Sequence, residues 1–287
     1  MDGIVLVDKP QGPTSHDVVR KLRKIFNTKK VGHAGTLDPM ATGMLIIGVG
    51  KATRLLGYLS QSEKEYVGTI RLGISTTTDD AQGEVVTKAS TRGLTQAQII
   101  ENLRDFRGHI MQRPSSVSAI QVDGKRAYAR VRAGEEVELP LREVTLHDCV
   151  TLSTTDNPEL DVIDIEVRVV CSAGTYIRAI ARDLGNALGV GGHLISLRRT
   201  RSGPFTAMSS LEQLALAPEV LDLTSTIRST FKCVQIDEEQ TERALHGVRV
   251  PAPIDASGTV GVLGDNGQVV SLCEVKDEEL VPLVVFC

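Results

Sequence analysis

The sequence is poor in aromatic residues, in cysteine and in long apolar runs. Its 287 residues include no Trp, four Tyr and five Phe. No uncharged apolar run approaches the roughly 18 residues of a membrane span, and Met1-Asp2 leads directly into a strand-like segment rather than a signal sequence. The cysteines are odd in number and never form a Cys-x-x-Cys pair, which argues against a disulfide framework or a zinc knuckle: Cys149, Cys171, Cys233, Cys273 and Cys287. We therefore expect a soluble cytoplasmic protein with reduced thiols and no membrane partner.

The charge balance changes sign along the chain. The net charge is −4, but residues 233–287 contain three basic and ten acidic side chains, whereas residues 1–232 contain 29 basic and 26 acidic ones. The acidic tail also has short apolar runs broken by Gly, Asp and Pro, a pattern typical of small β-rich domains. We predict one large domain over residues 1–232 and a small β-rich domain over residues 233–287.

Hydrophobic periodicity predicts a mixture of helices and strands. Ser15 is a plausible N-cap for a helix in which Val18, Val19 and Leu22 share one face. Residues 32–43 are rich in glycine and are expected to interrupt regular structure before a strand at 44–49. Further strands are predicted over 64–73, 117–122 and 161–171, and further helices over 95–106 and 175–188. Because these elements do not alternate regularly as βαβ units, the pattern favours an α+β fold.

A solitary carboxylate lies in a basic region. Asp38 is the only acidic residue between Val18 and Ser62, a window that holds eight basic residues. The glycines around it allow close approach of a ligand, and Pro39 restricts its backbone to an extended conformation. Asp-Pro most often serves only as a turn. The positive surroundings instead favour an ionised carboxylate that is available as a nucleophile or base.

Further basic clusters recur along the chain. They comprise Arg104, Arg107 and Arg113; Lys125, Arg126, Arg130 and Arg132; and Arg198, Arg199 and Arg201. Any one cluster is as well explained by a solvated helix face. Their repetition favours a long polyanion, RNA or DNA, over a single small phosphate ligand. The segment Gly48-Val49-Gly50-Lys51 lacks the glycine spacing and the Ser/Thr of a nucleotide-binding P-loop, which excludes that reading.

Several motifs in order resemble the TruB family of tRNA pseudouridine synthases. They are Lys9-Pro10, the run Gly32-His33-Ala34-Gly35-Thr36-Leu37-Asp38-Pro39 with its continuation to Leu45, Lys64-Glu65-Tyr66, and the segment from Cys171 to Arg178. The resemblance covers about residues 3–215. It implies a mixed, largely antiparallel sheet flanked by helices, a T-arm-contacting insertion at about residues 93–132, and a reduced or divergent PUA-like C-terminal domain.

The resemblance also implies a role for individual residues. Asp38 would be the catalytic aspartate, Tyr66 would stack on the target uracil and help remove the proton from its C5, and Arg178 would pair with Asp38. Substrate contacts are implied for His33, which would contact the T loop, and for Tyr176 and Leu197, which would line the uridine pocket. Lys9 is implied to support the substrate-binding pocket structurally. From pattern alone, Tyr66 is more often a core residue, Arg178 an exposed helix residue, and His33 a surface histidine.

The implied reaction is the isomerisation of uridine 55 in the T loop of tRNA to pseudouridine, with exchange of a C–N for a C–C glycosidic bond. It needs no redox or metal chemistry, so we expect no cofactor and no metal site. The target base has to be flipped out of the folded loop. We expect a monomer whose partner is the tRNA T arm. Two alternatives remain: a tRNA-binding folding chaperone whose chemistry is dispensable, and an enzyme that modifies a different RNA.

Overall fold

The computed structural model describes residues 2–115, 121–122, 125–126 and 139–286, with only the backbone described at 121–122 and 125–126. The predicted strand at 117–122 is therefore described only at Gln121–Val122, and the side chains of the basic cluster at 125–132 lie outside the described residues. Contacts divide the chain into two compact units. The first comprises residues 1–39, 43–60 and 203–287, and the second comprises residues 40–42 and 61–202.

The first unit begins with a small antiparallel sheet and the helix that packs beside it. In chain order its amino-terminal elements are β1 (Gly3–Lys9), α1 (Ser15–Ile25), β2 (Val31–Ala34), β3 (Thr42–Val49), a 3₁₀ helix (Gly50–Leu55) and α2 (Leu56–Ser60). Strand β1 pairs with β3, which also pairs with β2. The predicted interruption at residues 32–43 is wrong in its first part, because Gly32, His33 and Ala34 continue a strand that pairs with β3.

Helix α1 follows the predicted periodicity, but its cap differs from the prediction. Val18, Val19 and Leu22 are buried. Thr14, rather than Ser15, is the N-cap: its hydroxyl accepts a hydrogen bond from the Asp17 amide, and the Asp17 carboxylate accepts one from the Thr14 amide. This reciprocal capping box satisfies the amides that the first helical turn leaves without partners. Ser15 is thereby available for another contact.

The second unit is built on five antiparallel strands. In chain order its elements are β4 (Lys64–Leu72), β5 (Ile74–Thr76), β6 (Val85–Lys88), α3 (Gln96–Arg104), β7 (Gly108–Gln112), β8 (Gln121–Val122), β9 (Lys125–Arg126), β10 (Arg142–Asn157), β11 (Val162–Cys171), α4 (Ile177–Ala187) and β12 (Gly192–Ser202). The strand order is β12-β4-β11-β10-β7. The side chains of β4 and β11 alternate between buried and partly exposed, as predicted. Helix α4 packs closely on β12 because Gly185 lacks a Cβ, which would lie 2.2 Å from the Gly191 carbonyl carbon.

The C-terminal segment adds the remaining elements to the first unit. These are α5 (Leu211–Leu216), β13 (Leu221–Asp222), α6 (Leu223–Thr230), β14 (Lys232–Gln235), α7 (Glu238–Leu245), β15 (Val250–Pro251), β16 (Thr259–Leu263), β17 (Val269–Lys276) and β18 (Glu279–Val285). Five strands form a second sheet in the order β14-β16-β17-β18-β15. The prediction of a β-rich C-terminal segment is confirmed, as is the α+β fold with largely antiparallel sheets.

The tail shares a core with the start of the chain. Leu272 and Phe286 belong to the same buried apolar cluster as Ile4, Ile46 and Leu55. Burial of such side chains stabilises a fold by about 1.5–3 kcal/mol each. A second cluster, which includes Val250, Val262 and Leu280, lies within the tail itself. Although the tail is distinct in charge, it is joined to the first 60 residues by apolar packing.

Within the described residues, no helix is both long and apolar enough to cross a membrane. The four described cysteines are free thiols, and three of them are buried. Burial raises the pKa of Cys171 to about 11 and that of Cys149 to about 12. Both thiols therefore stay protonated at neutral pH and lack the reactivity of a thiolate.

Candidate active site

Asp38 lies on the loop that joins β2 to β3 and is half-buried. The loop leaves β2 through Gly35, whose φ of +78° is a conformation that favours glycine. Leu37 and Met40 on either side of Asp38 are buried, at 3% and 5% exposure. The loop is therefore anchored by apolar side chains while the carboxylate between them keeps partial access to solvent.

Lys9, at the end of β1, is hydrogen-bonded to this loop. Its side chain is fully buried, and its Nζ donates to three carbonyl oxygens, those of Pro10 at 3.0 Å, Pro13 at 2.8 Å and Pro39 at 3.4 Å. Burial lowers the pKa of Lys9 to about 8, and the Asp38 carboxylate partly opposes that shift. These contacts explain physically how the Lys-Pro motif can provide structural support. Lys9 joins the turn after β1 to the residue that follows Asp38.

Ser15 and Gly12 fix the same loop from α1 and the turn before it. The Ser15 hydroxyl accepts a hydrogen bond from the Leu37 amide at 2.9 Å and donates to the Leu37 carbonyl at 3.1 Å. The Gly12 amide donates to the Pro39 carbonyl at 2.8 Å. Residues on both sides of Asp38 are thus held by hydrogen bonds from the segment 12–15. Sequence reasoning missed Ser15 because its hydroxyl looked like an ordinary helix cap.

His33 lies on β2, close to this loop in sequence, and is half-buried. Its ring packs edge-on against that of His16, with the centroids 5.2 Å apart and an angle of 84° between the planes. His16 is exposed in the first turn of α1. The two imidazoles therefore form a small aromatic pair next to the segment that fixes the Asp38 loop.

Tyr66 occupies the buried face of β4 and is 8% exposed. Arg199 on β12 lies directly opposite in the strand register, and its guanidinium carbon is 6.0 Å from the centre of the Tyr66 ring. The Arg199 Nη1 donates to the phenol oxygen at 3.5 Å. Arg199 is only 1% exposed, so within its basic cluster it is not a residue that can contact a polyanion from solvent. The buried guanidinium therefore contacts both the face and the hydroxyl of the Tyr66 ring.

A second buried cation shares this region. Lys64 begins β4 and is 5% exposed, and its Nζ donates to the Ser62 carbonyl. Burial, together with the charge of Arg199, lowers the pKa of Lys64 to about 8. The Lys-Glu-Tyr motif thus contributes two inward side chains, Lys64 and Tyr66, whereas Glu65 between them points to the other face and accepts hydrogen bonds from Thr200 and Arg168.

Tyr176 and Arg178 lie where β11 leads into α4. Tyr176 is the N-cap residue, and the side-chain amide of Gln112 binds its backbone twice. The Tyr176 backbone N–H donates to Gln112 Oε1 at 2.8 Å, and Gln112 Nε2 donates to the Tyr176 carbonyl at 3.0 Å. Gln112, on β7, is 2% exposed. It joins the segment predicted to be an insertion to the turn that positions Tyr176, a link that no local sequence signal indicates.

Arg178 is buried, at 6% exposure, and is thus unlike the exposed helix residue that pattern alone favours. Its Nη1 donates to Asp80 Oδ2 at 3.2 Å and to the Thr78 carbonyl at 3.1 Å. Asp80 is itself buried and accepts hydrogen bonds from the Thr78 hydroxyl and the Gln82 amide. The loop between β5 and β6 therefore holds Arg178 in place. The predicted pairing of Arg178 with Asp38 stays a prediction.

Leu197 lies on β12 and is 8% exposed. Its carbonyl accepts a hydrogen bond from the Thr42 hydroxyl at 3.4 Å. Thr42 follows Asp38 by four residues and belongs to the second unit, as does Leu197. Within the second unit, Thr42 therefore contacts the strand that carries Leu197 and Arg199.

Several cations from the basic clusters bind other parts of the protein. Arg107 pairs with Asp148 at 3.0 Å, and Arg201 pairs with Glu63 at 2.5 Å. Lys51 and Arg54, which belong to the basic window around Asp38, donate to backbone carbonyls of the tail at residues 286 and 285. These residues stabilise the fold, so the count of basic residues in the sequence overstates the charge that an RNA could contact. No group of three or more His, Cys, Asp or Glu side chains suited to a metal ion occurs among the described residues.

Three family models match consecutive parts of the chain. Residues 23–177 match the "TruB family pseudouridylate synthase (N terminal domain)", residues 178–230 the "tRNA pseudouridylate synthase B C-terminal domain", and residues 231–287 the "tRNA Pseudouridine synthase II, C terminal" model. The proteins named tRNA pseudouridine synthase B from Thermobifida fusca (strain YX) and from Streptomyces griseus subsp. griseus are 49% and 50% identical to this chain. The alignments cover 99% of this chain in both cases, and 98% and 97% of those proteins.

Solved structures share the same fold over nearly the whole chain. The "Crystal Structure of a Cbf5-Nop10-Gar1 Complex" contains a chain with 27% identity and a TM-score of 0.74. The "Structure of H/ACA RNP bound to a substrate RNA containing 2'-deoxyuridine" contains one with 26% identity and a TM-score of 0.73. Each likeness covers 99% of this chain and 84% of the other.

Proposed function

Because the chain belongs to the TruB family and is a tRNA pseudouridine synthase, we propose that it converts uridine 55 in the T loop of tRNA to pseudouridine. The reaction breaks the bond between C1′ and N1, turns the uracil over, and joins C5 to C1′. C5 loses a proton and N1 gains one, so the product is an isomer of the substrate. The enzyme therefore has to stabilise an electron-poor sugar carbon, hold a detached base and remove one proton.

Asp38 is proposed to act on the sugar. A carboxylate can serve as a covalent partner or can stabilise a cationic sugar, as carboxylates do in glycoside hydrolysis. The observation that carries the proposal is the anchoring of the Asp38 loop by Lys9 and Ser15, which bond to its neighbours Pro39 and Leu37. A loop held on both sides keeps the carboxylate in one position, and positioning of this kind accounts for several kcal/mol in many enzymes.

Tyr66 is proposed to hold the uracil and to help remove its C5 proton. A base flipped out of a folded loop loses its stacking, and an aromatic ring can replace it at about 1–3 kcal/mol per base. The buried Arg199 guanidinium next to the Tyr66 phenol supports this role, because a nearby cation stabilises a phenol that gives up its proton. In the same proposal, Arg178 pairs with Asp38, Tyr176 and Leu197 line the uridine pocket, and His33 contacts the T loop.

The T arm is proposed as the part of tRNA that the protein recognises, and the enzyme is proposed to act as a monomer in the cytoplasm, where tRNA is processed. We further propose that residues 1–232 form the catalytic part, with the T-arm contact at about 93–132, and that residues 233–287 are a reduced PUA-like domain. The acidity of this tail argues against strong contact with phosphates. Its apolar packing with the first 60 residues supports a structural role.

The test is to incubate the purified protein with an unmodified tRNA transcript and to map pseudouridine chemically. Product at position 55 is expected, and its absence with folded enzyme would reject the proposal. Asp38→Asn should abolish turnover and leave the dissociation constant for tRNA nearly unchanged. The matched control is Asp255→Asn, which removes the same charge from an exposed tail position and should have no effect.

The same variants test the chaperone alternative. In an assay of tRNA refolding, a protein that acts only by opening and refolding the tRNA should be indifferent to Asp38→Asn. If Asp38→Asn retained substantial pseudouridine formation, the aspartate would have no catalytic role, and the site assignment would fail while the family assignment stood.

A further inference from the structure

A groove of about 260 Å³ lies along the exposed side of α1, within the first unit. Three cations line it, Arg20, Lys21 and Lys24, and all three are exposed. Pro13, Val18 and Leu211 also line it, and of these Val18 and Leu211 are buried, at 0% and 4% exposure. The groove therefore presents mainly positive charge, an arrangement that suits the phosphates of a nucleic-acid strand.

The two carboxylates near the groove already have other partners. Asp17 accepts hydrogen bonds from the Thr14 amide and hydroxyl, and its other oxygen pairs with Arg20 at 2.8 Å. Glu212, in the first turn of α5, is close enough to Lys21 to be influenced by its charge, and hydrogen bonds from its own amide and from Ser210 lower its pKa. Both carboxylates thus mainly cap helices, and the groove keeps an excess of positive charge.

Whereas Arg20 pairs with Asp17, the two lysines of this groove differ from the cations of the other basic clusters. Arg107 and Arg201 are in ion pairs, Arg199 is buried, and Lys51 and Arg54 donate to backbone carbonyls of the tail. The side chain of Lys24, in contrast, is exposed and makes no hydrogen bond or ion pair with any residue that the structure describes. An exposed lysine without such partners can meet a phosphate without first breaking an internal contact.

The groove also begins where the Asp38 loop is anchored. Its wall residue Pro13 accepts a hydrogen bond from Lys9, and Ser15 at the start of α1 bonds to Leu37. Lys21 and Lys24 follow Ser15 by six and nine residues, which is about 9 and 14 Å along a helix. An RNA strand that leaves a nucleotide bound at Asp38 can span these two distances within a few nucleotides.

We propose that this groove binds the phosphate backbone of the RNA stem that carries the target loop, with Lys21 and Lys24 as the phosphate contacts. The choice of the T-arm stem as the bound RNA rests on the proposed function. Lysine binds phosphate as a point charge, and each such contact makes binding more dependent on salt.

The experiment measures binding of a T-arm hairpin across a range of KCl concentrations. The double variant Lys21→Gln/Lys24→Gln is compared with the tail variant Lys232→Gln/Lys276→Gln, which removes the same charge from exposed positions immediately before and within the acidic tail. Loss of two phosphate contacts should flatten the slope of log affinity against log salt by about 1.4–1.8 and weaken binding by about fivefold to eightfold per contact near 0.1 M salt. The tail variant should keep the wild-type slope.

Three results would overturn the proposal. One is an unchanged slope in the α1 variant. Another is an equal change in the tail variant, which would indicate a general effect of net charge. The last is a change seen with full-length tRNA but not with the hairpin, which would place the contact outside the stem. The binding slopes test the groove, whereas mapping of pseudouridine tests the proposed function at uridine 55. Failure of the proposed function would therefore appear as missing product and would leave the comparison of slopes intact.

Discussion

The contact between Ser15 and Leu37 gives the sharpest test of how the Asp38 loop is held. Ser15 is 1% exposed, and its hydroxyl serves both the amide and the carbonyl of Leu37, which is 3% exposed. Ser15→Ala leaves both backbone groups without that partner. Since a buried polar group left unsatisfied costs about 1–3 kcal/mol, we expect a loss of about 2–4 kcal/mol in the free energy of unfolding.

The same substitution should also slow the reaction. Leu37 precedes Asp38 directly, so loosening Leu37 lets the carboxylate move away from its position. Misplacement of a catalytic group by about 1 Å can cost on the order of a hundredfold in rate. We expect the single-turnover rate of Ser15→Ala at saturating tRNA to fall by about 10- to 100-fold, measured alongside denaturant unfolding to separate rate from stability.

Thr14→Ala is the matched control, because Thr14 is the neighbour of Ser15 and its hydroxyl hydrogen-bonds to Asp17 rather than to Leu37. Thr14 caps α1 through Asp17. Loss of this cap should cost about 1 kcal/mol of stability and leave the rate within about twofold of wild type. If both variants lost the same rate, or if Ser15→Ala kept the wild-type rate, the reasoning about the loop would be refuted.

Three further predictions follow from buried groups. The pKa of Lys9, about 8 in the folded protein, is below the unfolded value of about 10.4, so unfolded chains hold the proton more tightly between these values and stability should rise with pH across that window. Between about pH 8 and about pH 10.4, the free energy of unfolding of wild type should rise by at most about 3 kcal/mol relative to that of Lys9→Met, as measured by denaturant unfolding. The same pH dependence in both proteins would contradict this. Arg199→Lys should lower the single-turnover rate by about tenfold or more, with tRNA affinity within about twofold, because the shorter side chain loses its hydrogen bond to the Tyr66 phenol; an unchanged rate would count against a role for Arg199. Phe286→Ala should cost about 3–5 kcal/mol in the free energy of unfolding, whereas the exposed control Ile254→Ala should change it by less than about 0.5 kcal/mol, and equal effects would contradict the shared core.

Local periodicity was a reliable guide to elements whose faces differ in polarity. The alternation along β4 and β11 and the apolar face of α1 appear in the structure as predicted, because each side chain's burial follows from its position in a regular repeat. The prediction failed at Gly32, His33 and Ala34, where glycine suggested a loop. Pairing with β3 makes this segment a strand, and that pairing depends on residues more than ten positions away.

For the candidate site, the sequence indicated the residue types but not their partners. The solitary Asp38, the Lys-Pro motif and the Tyr66 strand can all be recognised in the chain. Their supporting contacts come from distant segments, as when Ser15 bonds to Leu37, Gln112 to Tyr176, and Asp80 to Arg178. No local pattern reveals that a serine at a helix start or a glutamine on a strand will meet a particular backbone group across the fold.

The sequence by itself determined the family, the fold class and the change in charge near residue 232, because motifs, periodicity and composition are properties of the chain. Only the tertiary structure decided which charges face solvent. Arg178 and Arg199 are buried, while Lys21 and Lys24 remain exposed. It also joined Phe286 to the same core as Ile4. The physical reason is that burial and pairing depend on which surfaces meet when the chain folds, and residues that are far apart in sequence determine those surfaces together.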